Sequence, residues 1–456
     1  SPGHDLRATR FFPAARLNYA QNLLAGGDLP GAQDTALVFR REDGVRRVWS
    51  WAELRNATAA ASKALLEAGV GAGDVVAAWM PNTPETVIVM LAAQSLGAVF
   101  TSTSPDFGPS GVLDRFGQVA PKVLVAADGY VYGGKNHDRT EALAQIVRGL
   151  PTVQQVWLVH ELDHDAEPEV HIRTRYLRDI LAAGVDALEF VEMPFDAPGF
   201  ILYSSGTTGA PKCLVHRSAG LLLKHASEHR WHLDVRPGDR VFWFTTCGWM
   251  MWNWLVSALA AGATVVLYDG SPFHPEPDHL WRIAEEEQVS LFGVSAKYLD
   301  ACAKQGLRPV VDRDLSSLRT IGSTGSPLSP EAFRYVYADV APEVHLASIS
   351  GGTDICGCFV IGDPTLPVWP GELQGPALGA DVDVFDDDGR SLRGEAGVTG
   401  ELVCRNALPS MPISFLGDPS GDRYNAAYFE RFPGVWSHGD FALWTDHDGM
   451  MILGRS

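Results

Sequence analysis

Gly238-Asp239-Arg240-Val241-Phe242-Trp243 opens a segment that runs through the apolar residues 250–259 to Ala261-Gly262-Ala263-Thr264. No charged residue stands between positions 241 and 268, so hydropathy alone would raise a membrane span. Thr245, Thr246, Gly248, Asn253 and Ser257 interrupt the run. It divides into a buried strand at 241–245, a helix at 250–260 and a second strand at 264–268. The same grammar occurs earlier. Gly73-Asp74-Val75-Val76-Ala77-Ala78 leads through 87–91 to Leu96-Gly97-Ala98-Val99, with the Gly-Asp and Gly-Ala pairs at identical offsets. Each segment reads as turn, strand, helix, glycine turn and strand, a right-handed parallel crossover. Two such units predict an α/β fold of two similar parallel-rich sheets layered with helices in the order αβαβα.

After Gly375 the texture changes. Asp381-Val382-Asp383-Val384-Phe385 alternates polar and apolar residues, Asp386-Asp387-Asp388-Gly389 makes a turn, and Gly400-Glu401-Leu402-Val403-Cys404 and Met450-Met451-Ile452-Leu453 add short strands. This predicts a smaller antiparallel, barrel-like subdomain, the three aspartates being a solvated hairpin tip. The expected division is 1–195, a first α/β subdomain with an N-terminal segment; 196–374, a second α/β subdomain; and 375–456, the antiparallel part.

Composition narrows the function classes. The 456 residues are 46% hydrophobic and 20% charged, an ordinary globular balance. A formal net charge of -19 disfavours nucleic acid as a partner, because phosphate binding needs a basic face. Any phosphate or carboxylate site must therefore be built locally from backbone N–H groups, cations or metal. Six scattered cysteines make no disulfide framework, and the one close pair, Cys356 and Cys358, has no second pair to complete a metal set. A reducing, cytoplasmic setting is expected. Ser1-Pro2-Gly3-His4-Asp5 has neither the basic start nor the apolar core of a signal peptide.

Tyr203-Ser204-Ser205-Gly206-Thr207-Thr208-Gly209-Ala210-Pro211-Lys212 follows an apolar strand and packs hydroxyls and glycines before a Pro-Lys. Small residues let backbone N–H groups approach phosphate oxygens, hydroxyls add donors, and the lysine adds charge. It is not a Walker A loop, since Gly206 and Gly209 are three apart and Lys212 follows a proline.

This loop resembles the phosphate loop of the adenylate-forming superfamily, which includes acyl-CoA synthetases, luciferases and peptide-synthetase adenylation domains. Further motifs follow that family's order. Gly325-Ser326-Pro327 is similar to the segment that packs on adenine. Gly351-Gly352-Thr353-Asp354 is similar to the motif whose threonine contacts the α-phosphate and whose acidic residue holds magnesium. Most members have glutamate there; Asp354 is one methylene shorter, which favours a water-bridged contact. Ser437-His438-Gly439-Asp440 resembles the segment whose aspartate accepts both ribose hydroxyls, and Gly454-Arg455-Ser456 the one whose arginine also reaches the ribose. Asp440 and Arg455 are thus the ribose candidates. Ser204, Ser205, Gly206, Thr207, Thr208, Gly209 and Lys212 are the phosphate candidates, with Thr353 and Lys212 acting on the transferring group and Asp354 on the metal.

A narrower resemblance is to the acetoacetyl-CoA synthetases. It is carried by Thr246-Cys247-Gly248-Trp249-Met250-Met251-Trp252-Asn253-Trp254, by the run from Tyr268-Asp269-Gly270 to Phe273, by residues 350–355, and by Phe11-Phe12-Pro13-Ala14-Ala15-Arg16-Leu17-Asn18-Tyr19-Ala20. Related acetyl-CoA synthetases carry tryptophan where this chain has Gly351. The glycine is expected to open a side-chain-sized volume for an acid longer than acetate. Trp249, Met250, Met251 and Thr324 are wall candidates, with core packing as their other reading.

The resemblance implies two half-reactions: acyl-adenylate formation from ATP and a carboxylic acid, then transfer to coenzyme A, with Mg2+ as cofactor. Acetoacetate is the expected acid, and propionate, butyrate and 3-hydroxybutyrate are its rivals; a non-catalytic nucleotide sensor is the more distant reading. A monomer without nucleic-acid or membrane partners is expected. Lys135 and Arg139 form a basic loop that reads either as a grip for a coenzyme A phosphate or as a solvated loop. The family places a hinge aspartate after such a Gly-Arg-Ser, then a small domain with a catalytic lysine. A chain ending at Ser456 is therefore expected to bind ATP and acid, adenylate poorly and make no thioester.

His225-Ala226-Ser227-Glu228-His229 matches the inverted zincin pattern H-x-x-E-H. It sits in a helical stretch without metalloprotease context, so a solvated or satisfied helix face is expected.

Overall fold

The computed structural model describes every residue except 1–5, 27–28, 163–167, 185–186 and 205–210. Both crossovers form as read. Val75–Trp79, Pro84–Ser95 and Val99–Thr103 make the first, and Arg240–Trp243, Met250–Ser257 and Thr264–Asp269 the second. In each the flanking strands pair in parallel.

The repeat extends to single hydrogen bonds. Gly73 N–H donates to Gly97 O at 3.0 Å and Gly238 N–H to Gly262 O at 2.9 Å. Val99 N–H donates to Asp74 O, and Thr264 N–H to Asp239 O. The carboxylates of Asp74 and Asp239 each accept from the backbone N–H three residues before them. Gly73 and Gly238 have φ of +83° and +85°, a region that costs any residue with a Cβ.

One sheet has eight strands, in the order Arg173–Tyr176, Gln155–Val159, Val123–Ala127, Val75–Trp79, Val99–Thr103, Pro198–Ser204, Lys212–Arg217, Ser414–Phe415. It is parallel through Pro198–Ser204 and antiparallel beyond. The other has seven: His345–Ser348, Thr320–Thr324, Leu291–Ser295, Arg240–Trp243, Thr264–Asp269, Thr35–Arg41, Arg46–Ser50. Only its last pair is antiparallel.

Alternation along the strands fixes the layering. Val76 and Ala78 point into a central core with Val241, Trp243, Val265 and Leu267 of the other sheet. That core encloses Pro84–Ser95, whose residues are all buried, and much of Met250–Ser257. Ala77 and Trp79 point outward to the helices Pro109–Val119 and Thr140–Arg148. Phe242 and Val266 point outward to His279–Glu286, Ala296–Lys304 and Pro330–Tyr335. Five layers result, as the sequence predicts. The uncharged stretch lies inside them, and among the described residues no helix is long and apolar enough to cross a membrane.

The sheets do not follow the consecutive division at 195 and 374. Thr35–Arg41 and Arg46–Ser50 belong to the seven-stranded sheet, whereas Pro198–Ser204 and Lys212–Arg217, which flank the phosphate loop, belong to the eight-stranded one. Local periodicity marks a strand but not its partner, and here the chain exchanges strands between sheets.

The C-terminal part is an antiparallel sheet in the order Val382–Phe385, Gly400–Cys404, Trp436–Trp444, Met450–Arg455. Its core also takes Leu214, Ile355, Phe359 and Val360, so it packs on the body of the molecule. The aspartate turn is a hairpin tip in which Arg390 pairs with Asp386 at 3.0 Å, and the Asp387 side chain is almost fully exposed.

Candidate active site

Ser204 and Lys212 face each other across an antiparallel pair, so the two ends of the phosphate loop are adjacent. Ser205, Gly206, Thr207, Thr208 and Gly209 lie outside the described residues. Lys212 is half-buried, and its Nζ stands 5.5 Å from the ring centroid of Phe415 and 5.9 Å from that of Tyr428.

Thr353 and Asp354 occupy the turn between the short strands Ser350–Gly352 and Gly357–Ile361. The turn is closed by Cys356 N–H donating to Thr353 O at 3.2 Å. His216, on the strand leaving the phosphate loop, sets its Nε2 3.0 Å from the same carbonyl oxygen. The Tyr428 hydroxyl donates to Asp354 Oδ1. Burial, then the Asp354 charge, pushes the Tyr428 phenol well up, so it stays protonated and donates.

Asp440 and Arg455 are register partners on neighbouring strands, with Arg455 Nη1 3.1 Å from Asp440 Oδ1. Asp440 is 8% exposed, while Arg455 reaches into solvent. His438 Nε2 stands 3.5 Å from Asp440 Oδ2. A Cβ built on Gly352 would lie 3.6 Å from His438 and 3.5 Å from Asp354 Oδ2. Glu401 accepts from Gly439 N–H at 2.6 Å and from Ser437 Oγ at 3.1 Å, which fixes the loop of this motif. Lys212, Tyr428, Asp354, Gly352, His438, Asp440 and Arg455 thus form one chain of neighbours drawn from position 212 and the regions 352–354 and 428–455.

Gly325, Ser326 and Pro327 make an irregular, partly exposed segment directly after Thr320–Thr324. Thr324 Oγ1 donates to Ile349 O at 3.1 Å, which ties that strand end to the approach of Thr353. Trp249 is 64% exposed at the N-terminus of its helix; Met250 is half-buried and Met251 is 8% exposed and belongs to the central core. The preceding turn rests on the eight-stranded sheet, where Ser102 Oγ donates to Cys247 O at 2.6 Å.

Gly351 is closed in by backbone on the side its Cβ would take. A Cβ there would stand 1.9 Å from Gly357 O and 2.7 Å from Cys358 Cα. The missing side chain leaves no vacant volume in its own direction; it allows two strands to close on each other.

Lys135 is exposed on the hairpin Gly129–Tyr132 and Lys135–Asp138. Arg139 is committed within the fold, donating to Pro105 O at 2.9 Å and to Tyr130 Oη at 3.0 Å. Buried Glu42 accepts from Gly133 and Gly134 N–H and so anchors the hairpin turn.

Among the described residues no group of three His, Cys, Asp or Glu side chains gathers as a metal site. His225, Glu228 and His229 are fully buried. His225 meets Cys356 O and Ser257 Oγ, while Glu228 accepts from Trp254 Nε1 and Cys358 N–H and pairs with Lys224. His229 packs on Trp254 at 4.0 Å. His225 and Glu228 are thus satisfied within the core rather than on a solvated face, while among the described residues neither ring nitrogen of His229 has a hydrogen-bond partner. All six cysteines are free and buried.

Tyr428 and His216 carry no sequence signal. Tyr428 sits among Tyr424, Phe429 and Trp436, a cluster that reads as core, and one histidine inside an apolar strand reads the same way.

The AMP-binding enzyme family matches residues 30–411 of the chain. The acetoacetyl-coenzyme A synthetase of Rhizobium meliloti (strain 1021) is 52% identical over 458 residues, covering 100% of this chain and 69% of that protein. The acetoacetyl-CoA synthetase of Gallus gallus is 42% identical, over 98% of this chain and 67% of its own. The solved acetoacetyl-CoA synthetase from Streptomyces lividans superposes with a TM-score of 0.92 at 45% identity, covering 98% of this chain and 68% of that one.

Proposed function

The chain belongs to the AMP-binding enzyme family as a homologue of acetoacetyl-CoA synthetases, and from that premise we propose that it activates acetoacetate with ATP for transfer to coenzyme A. The observation that carries the reading is the unbroken run of neighbours from Lys212 to Arg455. The proximity of residues from separated motifs supports reading them as one nucleotide site.

In the first step a carboxylate oxygen attacks the α-phosphorus of ATP and pyrophosphate leaves. In the second the thiol sulfur of coenzyme A attacks the acyl carbon, giving up its proton, and AMP leaves. Neither step requires a protein nucleophile, so the site acts by positioning and charge neutralisation. Ser204, Lys212 and the loop between them cradle the β- and γ-phosphates, and Thr353 meets the α-phosphate. Asp354 would hold magnesium, which would supply positive charge at the phosphates. Asp440 and Arg455 fix the ribose, and Gly325, Ser326 and Pro327 lie along the adenine. Trp249, Met250, Thr324 and the strand at Gly351 bound the acid. Lys135, the exposed cation of its hairpin, offers a contact for coenzyme A.

Pyrophosphate release is measured with acetoacetate, propionate, butyrate and 3-hydroxybutyrate in turn. Acetoacetate is expected to give the highest kcat/KM. Equal activity with butyrate overturns the choice of acid.

A further inference from the structure

We propose that Tyr428 is a positioning residue that holds the Asp354 carboxylate and the Lys212 ammonium apart, each ready for its own part of a metal–nucleotide complex. The proposal rests on the nucleotide-site reading above. Tyr428 ends the helix Asp422–Tyr428 and is 4% exposed. Its ring is stacked on Trp436 at 3.7 Å with an interplanar angle of 13°, and Phe415 and Tyr424 meet it edge-on at 5.7 and 5.2 Å. A phenol clamped on several sides keeps its hydroxyl aimed, and this one is aimed at Asp354 Oδ1.

The choice of donor matters. A carboxylate on two rotatable bonds needs a partner to be held still, but a cationic partner would cancel the charge a metal ion requires. A phenol orients the carboxylate and leaves it anionic. The same ring gives the Lys212 ammonium a cation–π neighbour at 5.9 Å. The Tyr428 hydroxyl thus donates to Asp354 while its ring centroid stands 5.9 Å from Lys212 Nζ. Trp436, which backs the ring, immediately precedes Ser437-His438-Gly439-Asp440. One side chain therefore couples the lysine, the acidic turn and the ribose strand.

The test is calorimetric titration of the chain with ATP in the presence and absence of magnesium, and with AMP, for wild type, Tyr428→Phe, Asp354→Asn and the double variant. Tyr428→Phe keeps the stacked ring and removes only the donor. It is expected to lose roughly tenfold of the magnesium-dependent gain in ATP affinity, with AMP affinity unchanged. The double variant is expected to bind no more weakly than Asp354→Asn, because the two residues act as one unit. A wild-type magnesium response in Tyr428→Phe, or additive losses in the double variant, overturns the proposal. So does a loss that falls equally on AMP, which marks a merely structural role. Should Tyr428→Phe fold poorly, Trp436→Phe loosens the stack and keeps the hydroxyl; an unaltered magnesium response there is equally fatal. Wild type with no magnesium-dependent ATP binding at all refutes the underlying site reading, a result distinct from these.

Discussion

His216 sets one ring nitrogen 3.0 Å from the carbonyl oxygen of Thr353 and the other 3.1 Å from that of Ser410. It stands on the strand Lys212–Arg217, which leaves the phosphate loop, so it spaces that strand from the turn bearing Thr353 and Asp354.

The histidine is wholly buried, and desolvation lowers its pKa from 6.5 to about 4. The hydrogen bond to Ser410 O, the Asp354 charge and the hydrogen bond to Thr353 O favour the proton without reversing the shift, and Arg217 opposes it. The unfolded chain therefore binds this proton where the folded chain does not. The stability is fully present above about pH 6.5 and is lost as pH falls towards 4. The full loss is on the order of 3 kcal/mol. Urea unfolding of wild type and His216→Gln between pH 4 and 7 checks it. The glutamine variant is expected to show a shallower decline, and parallel curves would refute the assignment.

Gly351 and Gly352 are neighbours with opposite tolerance. At Gly351 a Cβ would collide with the carbonyl of Gly357, whereas at Gly352 it meets only ordinary contacts. Gly351→Ala is expected to cost about 1–3 kcal/mol by forcing the hairpin open, and Gly352→Ala much less. Thermal unfolding distinguishes them. Gly351→Trp is expected to fail by disrupting the turn that carries Thr353 rather than by neatly narrowing the acid pocket. A folded Gly351→Trp variant with undisturbed ATP binding and a preference for acetate would restore the pocket reading.

What the sequence discloses and what it hides follow from locality. The two crossovers are legible because Gly73-Asp74 and Gly238-Asp239 encode their turns within a few residues, and the motifs at 325, 353, 437 and 454 are legible because each is contiguous. Sheet membership is not, since the continuous apolar run in Thr35–Arg41 would be buried in the same way whichever sheet received it. Nor is Tyr428, whose role appears only when Asp354, 74 positions away, is brought to its hydroxyl. Gly351 is a related case: a sequence shows that a side chain is missing but not which direction it would have taken.

The matched turns make a quantitative forecast. Nothing lies within 4 Å of a Cβ at Gly73 or Gly238, so only the positive φ penalises substitution. Gly73→Ala and Gly238→Ala are each expected to destabilise by about 1 kcal/mol, and the double variant by the sum. Denaturant midpoints test this. A large inequality would show that the hydrogen bonds shared by the two turns carry different loads.

Asp440 separates nucleotide recognition from metal recognition. Its carboxylate is nearly buried, ordered by Arg455 and faced by His438, and proposed to accept the ribose hydroxyls. The ribose is common to ATP and AMP, so Asp440→Ala should weaken both alike, by roughly ten- to a hundredfold, with or without magnesium. Asp354→Asn should weaken ATP alone and only when magnesium is present. Arg455 is exposed and acts partly through Asp440, so Arg455→Ala should cost less than Asp440→Ala, and the pair together less than their sum. Calorimetry with both nucleotides provides the check. An Asp440→Ala chain that folds and binds AMP as wild type does would detach the ribose from this strand and reopen the assignment of the whole site.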